Sequence, residues 1–387
     1  MPETDAAPSR ADRSQPARSR GQGASNGAAE DRKASGREAP LYGALDLGTN
    51  NCRLLIARPV KDGFRVVDSF SRIVRLGEGL TRTGRLDDAA MERAYDALGV
   101  CAERLVRKGV EPTRLMAIAT QACRQAENGP AFIERVRQGT GLKLKIIDPA
   151  DEARLSVEGC LNLFDTSTEA VLVVDVGGGS TELSWLKKRG GDFVLQGWLS
   201  APMGVVTLAE RHPEPPDADP AALNTWYEAM VADMSHAIAA APVGDDLRRL
   251  FIENRAHLVG TSGAITSLAG IHLGLHRYQR NLVDGLWMTR GDCEAAAIKL
   301  MKLGQSGRAA EACIGPDRAD LVLAGAAIME AIQRAWPSER VRVADRGLRE
   351  GLLLQRMRED QRPSRRRRRR RGRGGGNGGG GNQTPPT

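Results

Sequence analysis

Two short segments of the sequence each place a carboxylate immediately before a glycine-containing turn. Asp46 precedes Gly48-Thr49-Asn50, and 129 residues further on Asp175 precedes Gly177-Gly178-Gly179-Ser180-Thr181. Apolar residues on both sides of each turn predict two β-hairpins. Glycine allows the backbone to approach a ligand closely, and successive N–H groups with Ser or Thr hydroxyls form a concave anion site. Each segment is therefore either a phosphate-binding turn or a hairpin whose glycine turn binds nothing.

The aspartates favour a phosphate site that also contains a divalent cation. A carboxylate would repel a bare phosphate, whereas Mg²⁺ between them would attract both, since it prefers oxygen ligands and phosphates. Two such hairpins facing each other would hold a phosphate-bearing substrate from both sides. Neither turn has the G-x-x-x-x-G-K-[ST] spacing of a P-loop, so a Walker-type nucleotide site is not indicated.

A third glycine-containing segment, Gly260-Thr261-Ser262-Gly263, follows a short predicted strand and opens a predicted helix. The N–H groups and the dipole at a helix N-terminus favour an anion. This segment is interpreted either as a ligand loop or as a turn that packs a strand against a helix.

The remaining pattern predicts a mixed α/β protein in which three strands, followed by alternating helices and strands, occur twice. The predicted strands cover residues 42–47, 52–58, 64–75, 115–119, 142–147, 170–176, 181–186, 193–199, 256–260 and 341–344. The predicted helices cover residues 91–107, 131–137, 221–240, 264–273, 291–302, 318–335 and 346–358. A further helix is expected after Asp148, a suitable N-cap that is followed by proline.

The basic character of the chain is concentrated at its C-terminal end. The 387 residues carry a net charge of +8, but residues 361–387 contain 9 Arg and no acidic residue. Residues 41–360 carry 40 basic and 42 acidic groups. Residues 1–40 and 361–387 have almost no large apolar residues and are predicted to be disordered. The arginine run 365–371 is either a solvated tail or a binding segment for RNA or polyphosphate.

Other features of the composition indicate a cytoplasmic protein with no membrane span. Six scattered cysteines form no C-x-x-C pair, which favours reduced thiols. No segment approaches the roughly 18 apolar residues of a membrane helix, and no secretory signal is recognisable. His272 and His276 have the i,i+4 spacing of a metal pair, but the apolar residues around them favour packing or surface roles.

At these motifs the sequence resembles the exopolyphosphatase / guanosine pentaphosphate phosphatase family of the acetate kinase–sugar kinase–Hsp70–actin superfamily. The resemblance covers about residues 41–358 and ends soon after Asp345-Arg-Gly-Leu-Arg-Glu-Gly351, as in a short form of the family. The other segments that carry the resemblance are residues 46–53, 120–128, 151–155, 175–182 and 318–320. It implies two ribonuclease-H-like domains, 41–166 and 167–360, with the active site in the cleft between them.

The resemblance also implies roles for individual residues. Glu152 matches the catalytic glutamate that activates water, although its position equally suits an acidic residue in the first turn of a helix. Asp175 and Glu182 match carboxylates at a Mg²⁺ site, with Asp46 as a further member and Mn²⁺ as an alternative ion. Arg53 and Arg124 match phosphate-binding arginines, and Gly177–Thr181 match the phosphate loop.

The implied activity is Mg²⁺-dependent release of terminal orthophosphate from inorganic polyphosphate, or conversion of the stringent-response nucleotide pppGpp to ppGpp. The sequence does not separate these two substrates. The alternatives are an ATP-dependent kinase or actin-like ATPase of the same superfamily, and a non-catalytic module that binds polyphosphate or RNA. Many members of the resembled family dimerise, so a homodimer is expected.

Overall fold

The computed structural model describes residues 39–61, 63–216 and 219–361. Apart from residues 39, 40 and 361, the predicted tails lie outside the described residues, as does the arginine run proposed to bind polyanions. Within the described part, no helix is both long and apolar enough to cross a membrane.

The first of two sheets contains β1 (Tyr42–Leu47), β2 (Asn51–Val60), β3 (Gly63–Ile73), β4 (Leu115–Ala119) and β5 (Lys145–Ile146). Their order is β3-β2-β1-β4-β5. β1, β2 and β3 form an antiparallel meander, while β4 is parallel to β1 and β5 is parallel to β4. The hairpin predicted around the first turn is therefore formed by the central strand β1 and its neighbour β2.

The second sheet repeats this topology. It contains β6 (Ala170–Val176), β7 (Thr181–Arg189), β8 (Asp192–Ala201), β9 (Ala256–Thr261), β10 (Trp287–Thr289) and β11 (Arg340–Ala344). Their order is β10-β11-β9-β6-β7-β8. β6, β7 and β8 are antiparallel, β9 and β11 continue in parallel from β6, and β10 adds an antiparallel edge. The predicted α/β class with two ribonuclease-H-like sheets is confirmed.

Helices cover both sheets and connect their strands. The described helices are α1 (Leu80–Thr83), α2 (Asp88–Lys108), α3 (Gln121–Gln125), α4 (Gly129–Thr140), α5 (Pro149–Cys160), α6 (Val205–Arg211), α7 (Pro220–Ala237), α8 (Asp245–Ile252), α9 (Ser262–His272), α10 (Arg280–Val283), α11 (Arg290–Ala310), α12 (Val322–Ala335) and α13 (Leu348–Gln361). The sequence pattern did not predict α1, α3, α6, α8, α10 or the strand β10. All of these elements are short. The strand β10 has three residues and each helix has one to two turns, so their sequences show too little periodicity to be recognised.

Helix α5 lies between the two sheets. On one side Leu155 packs with Leu352 and Leu353 of α13 against the first sheet. On the other side Val157 and Cys160 pack against the second sheet. The range 167–360, predicted as the second domain, thus includes a C-terminal helix that packs on the first sheet.

The close crossing of α5 and α13 depends on glycine. A Cβ atom at Gly351 would collide with the Leu155 carbonyl oxygen, and one at Gly159 would collide with the Gly347 carbonyl oxygen. The absence of side chains at these two positions lets the backbones of the helices touch. This contact joins the C-terminal half of α5 to the N-terminal end of α13.

Replacing Gly351 with Ala is expected to lower the free energy of unfolding by about 1–3 kcal/mol, because the backbones must separate. The matched control is Gly99→Ala in α2, where a Cβ atom has no neighbour within 4 Å. That substitution is expected to be neutral, or stabilising by up to about 1 kcal/mol. Urea unfolding of both variants measures the difference, and equal effects would contradict the proposed crossing.

A buried histidine in β9 gives the fold a specific pH dependence. The Asp165 N–H group donates to Nε2 of His257 at 3.4 Å, so the neutral ring carries its proton on Nδ1, 3.0 Å from Thr168 Oγ1. Burial lowers the pKa of His257 to about 4, while nearby Asp165 opposes this shift and Arg340 and Arg342 add to it.

Because the unfolded chain binds a proton near pH 6.5 that the folded chain excludes, stability is lost as pH falls from about 6.5 towards 4. Relative to His257→Gln, the wild-type free energy of unfolding should fall by about 2 kcal/mol between pH 7 and pH 5. Parallel unfolding titrations of the two proteins measure this difference. Identical pH dependence in both would contradict a neutral buried imidazole.

Candidate active site

The two glycine turns face each other in direct contact. Each is closed by the same hydrogen bond, from Gly48 N–H to Asn51 O in the first and from Gly177 N–H to Ser180 O in the second, both at 2.9 Å. A Cβ atom at Gly178 would lie only 3.1 Å from the Cβ atoms of Asn50 and Thr49. The duplicated sequence motif is therefore a duplicated structural motif whose two copies meet.

The carboxylates that line the cavity of about 920 Å³ beside these turns include all four that the sequence singled out. Asp46 lies near the end of β1 and Asp175 near the end of β6, where Glu182 of β7 is its cross-strand partner. Glu152 comes from the first turn of α5 and is 7% exposed. The structure thus brings together the carboxylates that the sequence singled out, from three strands and one helix.

Burial, and then the proximity of these groups to one another, makes their charged forms unfavourable. Burial raises the pKa of Asp46 to about 6, with the charge of Asp175 adding to the effect of burial. Burial and then Asp175 raise the pKa of Glu182 to about 7. The pKa of Glu152 lies well above its usual range because of burial and the neighbouring Glu182. A cation at this cluster would relieve both the desolvation and the repulsion.

Serine side chains hold two of these carboxylates. Asp175 accepts hydrogen bonds from Ser156 of α5 and, at 2.7 Å, from Ser262. Ser262 has a φ of +80°, an uncommon conformation for a residue with a side chain, and such strain is concentrated at functional sites. Ser200 donates to Glu182 at 2.9 Å.

Glu152 is positioned by the start of its helix and by an arginine. Asp148 caps α5 by accepting a hydrogen bond from the Asp151 N–H group at 2.8 Å. One nitrogen of Arg124 lies 3.2 Å from Glu152 Oε2 and also donates to the Ile147 carbonyl at 2.7 Å. Arg124 therefore orients Glu152, and one carboxylate oxygen of Glu152 remains outside this ion pair.

Most of the other predicted phosphate-binding residues line the same cavity. They are Gly48, Thr49, Asn50, Arg53, Gly177, Gly178, Gly179, Ser180, Thr261, Ser262 and Gly263. Arg124, Thr181 and Gly260 are not among the described residues that form the cavity wall. The Thr181 hydroxyl donates to the Met203 carbonyl at 2.7 Å, and Gly260 provides room for Ile265. The phosphate contacts expected of Arg124, Thr181 and Gly260 stay predictions.

Two arginines converge on the third loop. A Cβ atom at Gly263 would lie 3.6 Å from Arg53 Nη2 and 3.9 Å from Arg318 Nη1. Arg318 donates to two backbone carbonyls and to the Ser267 hydroxyl, and no described carboxylate neutralises it. The sequence alone does not identify Arg318 as a site residue, and the only signal was its place in the motif 318–320. Asp320 of that motif instead forms a two-point ion pair with Arg75 at 3.0 and 3.1 Å.

The oxygen-rich cluster fits a hard divalent cation that binds together with substrate. Oδ1 of Asp46 and Oδ1 of Asn50 are buried without a hydrogen-bond partner among the described residues. Within the same residues, no three His, Cys, Asp or Glu side chains form a ready metal cage. Mg²⁺ commonly uses one or two carboxylates and completes its shell with water and substrate phosphates, which agrees with this arrangement.

A family model described as the Ppx/GppA phosphatase family matches residues 55–360. The chain belongs to this family. Among curated relatives, exopolyphosphatase 1 of Mycobacterium leprae is 30% identical over 320 residues, which is 81% of this chain and 89% of the relative. Exopolyphosphatase 2 of Mycobacterium tuberculosis is 30% identical over 302 residues, covering 75% of this chain and 89% of the relative.

Solved structures agree with the family assignment. The crystal structure of the Aquifex aeolicus member of the Ppx/GppA family has a TM-score of 0.66 and 26% identity, covering 84% of this chain and 99% of that chain. An exopolyphosphatase from Cytophaga hutchinsonii has a TM-score of 0.71 over 82% of this chain and 98% of that one. At 22% identity the second likeness shows the fold alone.

Proposed function

We propose that this member of the Ppx/GppA family is a Mg²⁺-dependent hydrolase that releases terminal orthophosphate from inorganic polyphosphate. The observation that carries the proposal is the convergence of the buried Glu152, Asp175 and Glu182 and the half-buried Asp46 on two touching glycine turns. The exopolyphosphatase names of its relatives support polyphosphate as the substrate. Conversion of pppGpp to ppGpp is the same phosphoanhydride chemistry and is the second candidate substrate reaction.

In the proposed complex, the two turns receive the terminal phosphoryl group. The backbone N–H groups and hydroxyls of Thr49 and Ser180 are the donors available there, and both residues line the cavity. Mg²⁺ bound by one or two of the carboxylates Asp46, Asp175 and Glu182, with phosphate oxygens and water completing its shell, would neutralise phosphate charge during transfer. Arg53 and Arg318 lie at the adjoining loop, where they can bind the leaving end of the chain.

Glu152 is the proposed general base. Its free carboxylate oxygen accepts a proton from water as the water oxygen attacks the terminal phosphorus. The bond from phosphorus to the bridging oxygen breaks, and the shortened chain leaves with the negative charge on that oxygen. Burial and the neighbouring carboxylates hold the pKa of Glu152 well above its usual range, which strengthens it as a proton acceptor.

Orthophosphate release from polyphosphate, pppGpp and ATP, each with Mg²⁺ and with a chelator, tests the proposal. We expect Mg²⁺-dependent release from polyphosphate at a higher kcat/KM than from ATP. Transfer of phosphate to an acceptor without free orthophosphate would instead support a kinase. Tight polyphosphate binding without turnover would support a binding module and overturn the hydrolase proposal.

A further inference from the structure

Arg349 occupies the second position of α13 and lines the same cavity as the two turns and Glu152. It forms no hydrogen bond, salt bridge or ring contact with any residue in the described part of the chain. A cationic side chain that faces a cavity without a protein partner is a candidate ligand for an anion.

The neighbouring charged residues are neutralised by one another. Arg346 is paired with Asp284. Arg280 lies 3.3 Å from Asp345 and 3.1 Å from Glu350. Glu350 also accepts a hydrogen bond from the Gly347 N–H group at 2.9 Å, so its carboxylate is occupied. Arg349 is thus the arginine of this group whose charge is not matched by a carboxylate.

Arg349 lies near Arg53, a second arginine of the cavity wall that forms no ion pair within the described part of the chain. Burial and then the charge of Arg349 lower the pKa of Arg53. Arg349 also lies close enough to Asp46 to oppose the rise in that group's pKa. Two guanidinium groups that repel each other beside the carboxylate cluster would both gain from an anion between them.

The position of Arg349 is fixed from both sheets. Leu352 and Leu353 anchor α13 in the core of the first sheet. Immediately before the helix, the Arg346 carbonyl accepts a hydrogen bond from Thr261 of the second sheet at 2.6 Å. A ligand group held by both Arg53 and Arg349 would therefore contact a site that is preorganised by the whole fold.

We propose that Arg349, together with Arg53, binds the penultimate phosphoryl group of the substrate. This contact makes the site selective for a phosphoanhydride chain over a single phosphate. The inference rests on the proposed function and names the residue that recognises the chain next to the bond being cleaved.

Calorimetric binding of tripolyphosphate and of orthophosphate tests this role without turnover, in a Glu152→Gln background at fixed ionic strength. Adding Arg349→Gln is expected to weaken tripolyphosphate binding about 10–100-fold, because a charge-assisted contact to phosphate is lost. Orthophosphate binding should change less than about 3-fold. Arg349→Lys should restore part of the tripolyphosphate affinity, since it keeps the charge without the planar fork.

The matched control is Arg356→Gln on the same helix, where Arg356 pairs with Glu359 at 2.8 Å. It should leave both affinities unchanged. Equal weakening of both ligands by Arg349→Gln, or no weakening, would overturn the inference. A protein that binds tripolyphosphate through Arg349 but never releases orthophosphate would refute the hydrolase proposal and leave this inference standing.

Discussion

Replacing Glu152 with Gln should lower kcat for orthophosphate release from polyphosphate by about 10²–10⁴-fold, the usual contribution of a general base. Glutamine has nearly the same shape and can still accept the hydrogen bond from Arg124, but it cannot take a proton from water. Because burial and the neighbouring carboxylates make the charged form of Glu152 unfavourable, the neutral variant should fold and unfold at a similar or higher denaturant concentration. Steady-state rates and urea unfolding measure the two effects separately.

The control for this substitution is Glu158→Gln on the same helix. Glu158 pairs with Arg154 at 2.9 Å and with Arg358 at 3.1 Å, away from the cavity wall. Its activity should stay within about 2-fold of wild type, as expected for an ion pair near the surface. A Glu152→Gln protein that keeps more than a tenth of wild-type activity would remove Glu152 from the role of base.

Replacing Asp175 with Asn should lower kcat/KM by about 10²–10³-fold, the usual effect of losing a group that stabilises transition-state charge. Asp175 accepts hydrogen bonds from Ser156 and Ser262 and faces Glu182 across the β6–β7 pair. An amide loses the negative charge that would attract Mg²⁺, and its NH₂ group would face one of the two serines. Weaker Mg²⁺ binding by calorimetry, measured without substrate, is expected alongside the lost activity.

Asp192→Asn is the matched control, since Asp192 is an exposed residue at the start of β8. Both its activity and its Mg²⁺ affinity should equal those of wild type. Unchanged Mg²⁺ affinity in Asp175→Asn would contradict the assignment of Asp175 to the cation site, whatever happens to turnover.

The local motifs allowed much of the fold and the carboxylate cluster to be predicted. The repeated Asp-x-Gly pattern predicted both central hairpins, because strand alternation and glycine turns are local signals. The cap at Asp148 predicted where α5 begins and hence where Glu152 lies. The prediction that the two turns face each other rested on the duplication together with the family resemblance.

Features that depend on distant contacts were not predictable from the sequence. Arg318 and Arg349 lie more than 260 residues from Arg53 along the chain, and only the folded structure brings the three to one cavity. The ion pair of Arg124 with Glu152 was likewise not predicted, and the expected contact of Arg124 with phosphate stays a prediction. Thr181 was included as part of the second turn, but its hydroxyl bonds to Met203, a tertiary contact that no local pattern reports.

A crystal structure of the Glu152→Gln protein with Mg²⁺ and a short polyphosphate would test the central claim most directly. We expect the terminal phosphoryl group between the turns at Gly48–Asn50 and Gly177–Ser180, with one water between its phosphorus and residue 152. A polyphosphate chain bound elsewhere on the protein, with the space between the two turns empty of phosphate, would contradict the account.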